Sequence, residues 1–131
     1  MIRYTLFVFF FLMLLSCSND DDSSSSSELS GTWSLINVSG GFVGLDHDFN
    51  TGIVVWVFNE SSNTVSITNN NTDDSIEDLL PTGTYDYSIE TVGENREFIL
   101  DNINRGNFEI MDNQLTINEQ FRDGFNFTFI R

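Results

Sequence analysis

Apolar and polar residues alternate in short segments from residue 29 to the C terminus. A period of two is typical of a strand, because successive side chains point to opposite faces of a sheet. Eight such segments predict strands over residues 32–38, 52–59, 64–68, 84–90 and 125–130, and around the apolar pairs Phe98 and Leu100, Phe108 and Ile110, and Leu115 and Ile117. The pattern therefore predicts an all-β domain.

The connections between these segments indicate how the strands are arranged. Most are short and rich in turn-forming residues, as at residues 60–63, 92–95 and 122–124, and short connections join neighbouring antiparallel strands. Only residues 39–50 and 69–81 form longer connections, and neither contains a convincing helix. Hairpin connections favour a sheet that closes into a barrel over a sandwich of two sheets. We therefore expect an eight-stranded antiparallel up-and-down barrel.

The N terminus has the pattern of an export signal. Arg3 is followed by an unbroken apolar run over residues 6–15. Ten residues are too few to cross a hydrocarbon core of about 30 Å as a helix, so the run is typical of a signal peptide.

The residues after this run resemble a bacterial lipobox, in which a cysteine thiol is acylated and the chain is then cleaved before it. The motif is Leu14-Leu15-Ser16-Cys17. The resemblance implies a signal peptide over residues 1–16, and a chain held on the lipid bilayer through acylated Cys17. An ordinary secretory signal with a chance cysteine is the alternative.

Residues 18–28 contain no apolar side chain, so they cannot repay the entropy of ordering. Residues 17–28 are therefore expected to be the lipidated cysteine and a flexible tether, with the domain at residues 29–131. The run Asp20-Asp21-Asp22 resembles acidic export signals of surface lipoproteins, although a solvated spacer is the alternative. We expect an outer-membrane protein of the cell envelope, facing either the periplasm or the surface.

The start of the domain resembles the lipocalins. The sequence LSGTW at residues 29–33 is similar to their Gly-x-Trp start, and residues 83–87 and 113–117 are similar to stretches of bacterial lipocalin-like lipoprotein domains. The resemblance covers residues 29–131. It implies that Trp33 packs at the closed end of the barrel and that Arg131, at the end of the last strand, lies over its ring. It also implies a small hydrophobic ligand.

Aromatic residues dominate the predicted interior. The candidate ligand-lining residues are Trp56, Tyr85, Tyr87, Phe98, Phe108, Phe125, Phe127 and Phe129. Large rings can fill a small barrel or line an apolar pocket. Their bulk favours a mostly filled barrel or a shallow pocket, and Tyr85 and Tyr87 are the possible hydrogen-bond donors to a ligand.

Charge and composition exclude several classes of protein. The chain has 20 acidic residues, five arginines and a net charge of −15, which argues against nucleic-acid binding because phosphate contacts need a basic surface. A single cysteine excludes an internal disulfide and a multi-cysteine zinc site. His47 is the only histidine and lies in a polar segment without a catalytic motif. We expect a monomer without enzymatic activity or cofactor.

One weak metal pattern is present. Asp46, Asp48 and Asn50 have the spacing of the first three oxygen ligands of a calcium loop, but Val57 stands where the bidentate glutamate belongs. We therefore expect no metal site.

Two function classes stay open. The first is a binding protein whose barrel holds a small apolar molecule, with residues 39–50 shaping its open end. The second is a non-enzymatic interaction or inhibitor module that uses its loops or acidic surface to bind another envelope protein or a glycan. A solvent-open cavity above about 300 Å³ would favour the first.

Overall fold

The computed structural model describes residues 28–131. The predicted signal peptide, Cys17 and nearly all of the predicted tether lie outside these residues. The described chain forms nine strands and one 3-10 turn, with no α-helix. The strands are β1 (Gly31–Gly40), β2 (Leu45–Asp48), β3 (Val54–Asn59), β4 (Thr64–Asn69), β5 (Gly83–Val92), β6 (Asn95–Leu100), β7 (Ile103–Met111), β8 (Gln114–Asn118) and β9 (Phe125–Ile130), and the 3-10 turn is Gln120–Arg122.

Eight of the strands close into a barrel. Strands β1 and β3 to β9 follow one another as antiparallel neighbours, and β9 returns to pair with β1 from Ser34↔Ile130 to Gly40↔Phe125. Closure leaves no long unpaired edge. The predicted all-β, eight-stranded up-and-down barrel is therefore confirmed.

The ninth strand, β2, lies within the connection at residues 39–50, where the sequence pattern predicted no strand. The first part of β1 pairs with β3, and its last part pairs with β2 from Asn37↔Asp48 to Gly40↔Leu45. The sequence of β2, LDHD, has one apolar residue, so alternation could not reveal it. Strand β2 pairs with β1 alone among the described strands and has one open edge.

The barrel has two distinct ends. At the entry end the chain enters β1 and leaves β9, and the β3–β4, β5–β6 and β7–β8 hairpins turn there. At the opposite end, called the loop end below, lie the β1–β2 turn, β2 and the connections at residues 49–53, 70–82 and 119–124.

The core is apolar throughout. Within residues 28–131 no polar or charged residue is buried. The inward faces of the strands supply most of the buried side chains, as the alternation predicts, and Leu29, Phe49 and Leu79 come from the connecting segments. The largest side chains without any exposed surface are Trp33, Trp56, Phe98, Phe127 and Phe129.

A β-bulge interrupts the pairing of β6 with β7. Glu97 lies opposite Asn107, whereas Ile99 lies opposite Asn104, so β7 has an extra residue here. Gly106 lies in this bulge with a φ of +89°. Bulges of this kind commonly place glycine at positive φ and bend the strand.

Candidate functional site

Arg131 and Trp33 contact each other at the entry end. The Arg131 guanidinium carbon lies 4.7 Å from the centroid of the Trp33 ring. The indole Nε1 of Trp33 donates a hydrogen bond of 2.9 Å to the carbonyl of Leu29. Arg131 also donates to the carbonyls of Glu28, over 2.9 Å, and Asp112, over 3.3 Å. The last residue of the chain therefore joins the first described residue to the β7–β8 turn.

We expect Arg131→Ala to lower the free energy of unfolding by about 1–2 kcal/mol, because a cation over an aromatic face contributes about 0.5–2 kcal/mol and the carbonyl hydrogen bonds are lost as well. Arg122→Ala is the matched control, since Arg122 lies 4.6 Å over the ring of Phe121, which is 56% exposed. Urea denaturation followed by tryptophan fluorescence measures both. Equal losses in the two variants would contradict a special role for the Trp33 contact.

The candidate ligand-lining aromatics mostly pack against one another. The ring of Trp56 lies 4.8 Å from that of Phe129 and 6.2 Å from that of Phe98, and Phe98 lies 5.6 Å from Phe108. Trp56, Phe98, Phe127 and Phe129 have no accessible surface, and Phe108 is 4% exposed. A side chain that no water-sized probe reaches cannot line a void of that size. These side chains therefore fill the middle of the barrel.

Of the three remaining candidates, Tyr87 is buried and is described below, whereas Tyr85 and Phe125 are half-buried at the loop end. The Tyr85 hydroxyl donates a hydrogen bond of 2.9 Å to the carbonyl of Pro81. The ring of Phe125 lies 6.2 Å from that of Phe127 and packs beneath Gly41. Neither side chain opens a route into the interior past the four fully buried rings.

One polar atom inside the barrel has no partner. The Nε1 of Trp56 is buried and makes no hydrogen bond within residues 28–131. An unpaired buried donor costs about 1–3 kcal/mol. This N–H is therefore an unsatisfied hydrogen-bond donor within the aromatic interior.

Tyr87 is buried among aromatic rings near the entry end. Burial raises the pKa of Tyr87, and the nearby Glu60 carboxylate raises it further. Because the unfolded tyrosine ionises first, at about pH 10, stability is expected to fall as the pH rises through that value. Absorbance titration of a chain beginning at residue 18 should show a late-ionising tyrosine. Tyr87→Phe should remove that phase and Tyr85→Phe should retain it; its persistence in Tyr87→Phe would contradict the assignment.

The three residues of the weak calcium pattern lie on β2 or just after it. Asp46 and Asp48 lie on one face of β2, and the Asn37 side-chain amide donates a hydrogen bond of 2.9 Å to each of them. Asn50 follows β2 and lines a cleft described below. Within the described residues, no group of three or more His, Cys, Asp or Glu side chains could hold a metal ion.

His47 packs edge-on against Phe49, with the ring centroids 4.8 Å apart. Ser75 lies in the neighbouring β4–β5 connection, where its hydroxyl donates to the Asp73 carboxylate. Hydrogen bonds from Ser75 hold the pKa of Asp73 below its ordinary value. A Ser-His-Asp arrangement needs the imidazole between the hydroxyl and the carboxylate, whereas here the hydroxyl contacts the carboxylate directly.

An exposed apolar pair lies at the loop end and was not predicted from the sequence pattern. Phe42 is 97% exposed and Val43 88% exposed in the β1–β2 turn; together they are called the apolar tip below. The N–H of Gly41 donates to the carbonyl of Gly124 over 3.0 Å. A Cβ on Gly41 would lie 2.7 Å from the Phe125 ring, so glycine permits this close approach. The available signal was two apolar residues between glycines, GGFVG.

The chain matches no protein-family model, no curated protein and no solved structure. Across residues 28–131 there is no helix of the length and hydropathy that a membrane span requires. The structure therefore shows the barrel fold. The similarity to lipocalins stays a prediction from the sequence motifs.

Proposed function

We propose that this chain is a lipid-anchored, non-enzymatic binding protein of the cell envelope, in which a filled barrel holds the loop end toward a protein partner. The observation that carries this proposal is the apolar tip. Two adjacent large apolar side chains are almost fully exposed there, on a turn that is hydrogen-bonded to the neighbouring connection.

The apolar tip is suited to insertion into a pocket. A phenylalanine can bury about 150–250 Å², and aromatic residues are enriched in the cores of protein interfaces. Because Gly41 is held by Gly124 and packs on Phe125, the turn is already ordered before binding. Less conformational entropy is then lost on association.

Charge indicates the kind of partner. The domain at residues 29–131 has 16 acidic residues against four arginines. Asp46 and Asp48 follow the apolar tip on β2, and Asp123 precedes Gly124, which contacts the turn. A partner with an apolar pocket and a basic rim would be attracted, and its association would slow at high salt. Anionic lipid would instead be repelled, which favours a protein.

The proposed anchor places the apolar tip away from the bilayer. The tether would join the barrel at Glu28, whose carboxylate lies 3.3 Å from Arg96 and whose carbonyl accepts from Arg131. Both contacts are at the entry end. A flexible tether of the predicted length would span about 18 Å r.m.s., and attachment at the entry end would leave the loop end to face outward from the membrane surface.

Cell fractionation of Cys17→Ser tests the anchor. We expect this variant to be exported but released from the membrane fraction, because acyl chains supply the attachment. Ser16→Ala, another small residue before the cysteine, is the control and should stay membrane-bound. Unchanged detergent partitioning of Cys17→Ser would contradict lipid attachment.

Site-specific photo-crosslinking in the producing cells tests the partner surface. A photoreactive residue at position 42 should give a discrete adduct whose yield falls when Asp46 and Asp48 are both changed to asparagine. The same residue at Val92, which is 50% exposed at the entry end, is the matched control. Adducts of equal pattern at both positions, or none at position 42, would contradict the proposal.

A small apolar ligand is the second candidate. The unpaired Nε1 of Trp56 favours it, because a ligand with one acceptor atom could satisfy that donor. The packing of Trp56 against Phe98 and Phe129 opposes it, since a ligand would have to displace one of these rings.

A further inference from the structure

The loop end also has a shallow cleft of about 310 Å³ that is separate from the apolar tip. One wall is formed by the end of β2 and the following residues, including His47 and Asn50. The other is the start of the β4–β5 connection, including Asn70 and Thr72. The backbone N–H of Asn70 donates to the carbonyl of Ile53 over 2.9 Å, which joins the two walls.

Several polar groups in the cleft are available to a ligand. Asn50, Asn70 and Thr72 are exposed and line the cleft, so their side-chain amides and hydroxyl are accessible to a ligand. Each side-chain amide offers two hydrogen-bond donors and one acceptor oxygen, and the threonine hydroxyl can both donate and accept. The two walls therefore present donors and acceptors toward one space.

The second wall is held in place by Asn71. Its side-chain nitrogen donates to the Asp78 carboxylate over 2.9 Å and to the Asp73 carbonyl over 3.1 Å. Its side-chain oxygen accepts from the backbone N–H of Asp73 over 3.1 Å. These bonds fix the loop on which Asn70 and Thr72 are carried, so the free groups are already positioned.

An apolar surface accompanies these groups. His47 is half-buried and meets the ring of Phe49 edge-on, and Ile53 is half-buried beside them. The backbone N–H of Phe49 donates to the carbonyl of Ile36 over 2.8 Å, which ties this wall to β1. The C–H face of a ring in a bound ligand could pack against this surface, while the polar edge of the same ring reaches the side-chain amides of the cleft.

The charge of the cleft narrows the class of ligand. Its single charged residue is Asp48, and no arginine lines it. An anionic ligand would meet no cation and would be repelled by the carboxylate. A purely apolar ligand would leave Asn50, Asn70 and Thr72 desolvated without partners. A neutral molecule with many hydroxyls and one C–H face satisfies both conditions.

A peptide added as a strand fits less well. The open edge beside the cleft belongs to β2, which is four residues long and carries two aspartates. Short, charged edges discourage strand addition.

The volume of the cleft, about 310 Å³, lies near the lower limit of small-ligand sites, which is about 300 Å³ in a range up to about 1,000 Å³. We propose that this cleft binds a neutral saccharide, as a free sugar or as a unit of a glycan.

Titration with named sugars tests the proposal by amide NMR of the chain from residue 18. The probes are glucose, galactose, mannose and N-acetylglucosamine, together with maltotetraose and cellotetraose, each up to tens of millimolar. At least one should shift the signals of residues 47–53 and 70–72 in a saturable manner. If galactose binds, galacturonate should bind more weakly because of Asp48. No saturable shift with any of the six, or shifts centred elsewhere, would overturn the proposal.

Variants separate the cleft from the rest of the domain. Asn50→Ala combined with Asn70→Ala should weaken binding about tenfold or more, since at least two hydrogen bonds are lost. Asn107→Ala is the matched control, because Asn107 is exposed on β7 away from the cleft, and it should bind normally. Equal weakening in the control would overturn the assignment. Phe42→Ser combined with Val43→Ser should keep saccharide binding while losing the proposed partner, so the two proposals can fail separately.

Discussion

Gly106→Ala is expected to lower the free energy of unfolding by about 3 kcal/mol or more, since strained backbone alone costs about 1–3 kcal/mol. Gly106 has a φ of +89°. A Cβ there would lie 2.2 Å from the carbonyl oxygen of Asn118 and 2.9 Å from a ring carbon of Phe121. Relief would require the β7–β8 pairing or the 3-10 turn to move.

Gly93→Ala isolates the backbone contribution. Gly93 has a φ of +64°, but a Cβ there would meet nothing within 4 Å. The loss in free energy of unfolding of Gly93→Ala should stay near the cost of an alanine in the left-handed region, about 1–2 kcal/mol. Urea denaturation of both variants, followed by tryptophan fluorescence, measures the difference. If the two variants lose the same stability, the close approach of β8 to Gly106 is not what requires glycine.

Trp33→Ala is expected to lower the free energy of unfolding by about 3–5 kcal/mol, the usual range for truncating a buried large aromatic. Trp33 has no exposed surface, and truncation also removes the hydrogen bond to Leu29 and the surface on which Arg131 lies. With total stabilities of about 5–15 kcal/mol for folded domains, this loss brings the barrel close to unfolding.

Trp33→Phe keeps the test informative if the alanine variant does not fold. It retains a ring beneath Arg131 but removes the indole N–H, so its loss should be smaller than that of Trp33→Ala. Combining Trp33→Ala or Trp33→Phe with Arg131→Ala measures the coupling energy between the two side chains. A Trp33→Ala variant that melts at the temperature of the unchanged protein would contradict the placement of Trp33 in the core.

Alternation predicted the barrel because it reports which face of a strand is buried. In β9, Phe127 and Phe129 are fully buried while Thr128 is partly exposed. The same signal could not reveal β2, whose polar residues pair with β1 without entering the core. Nor could it reveal the bulge at Gly106, where β7 has one residue more than β6.

The candidate site was less predictable than the fold. The contact of Arg131 with Trp33 was expected from the lipocalin resemblance, and the structure has it. Whether inward aromatics leave a void depends on the angles and distances between rings, which a sequence pattern does not encode. The exposure of Phe42 and Val43 was likewise hidden, since apolar residues in a turn can point either way. The cleft proposed to bind a saccharide is formed by residues from two separate parts of the chain.

Fluorescence titration of Trp33 and Trp56 with fatty acids and hydrophobic dyes most directly tests the claim that the barrel is a filled scaffold. Both indoles are fully buried, and Trp33→Phe leaves Trp56 as the only reporter. Because Trp56 packs against Phe98 and Phe129, we expect no saturable change in its emission with any of these ligands. Saturable quenching of Trp56 at one equivalent of ligand would contradict a filled interior and would favour a binding cavity.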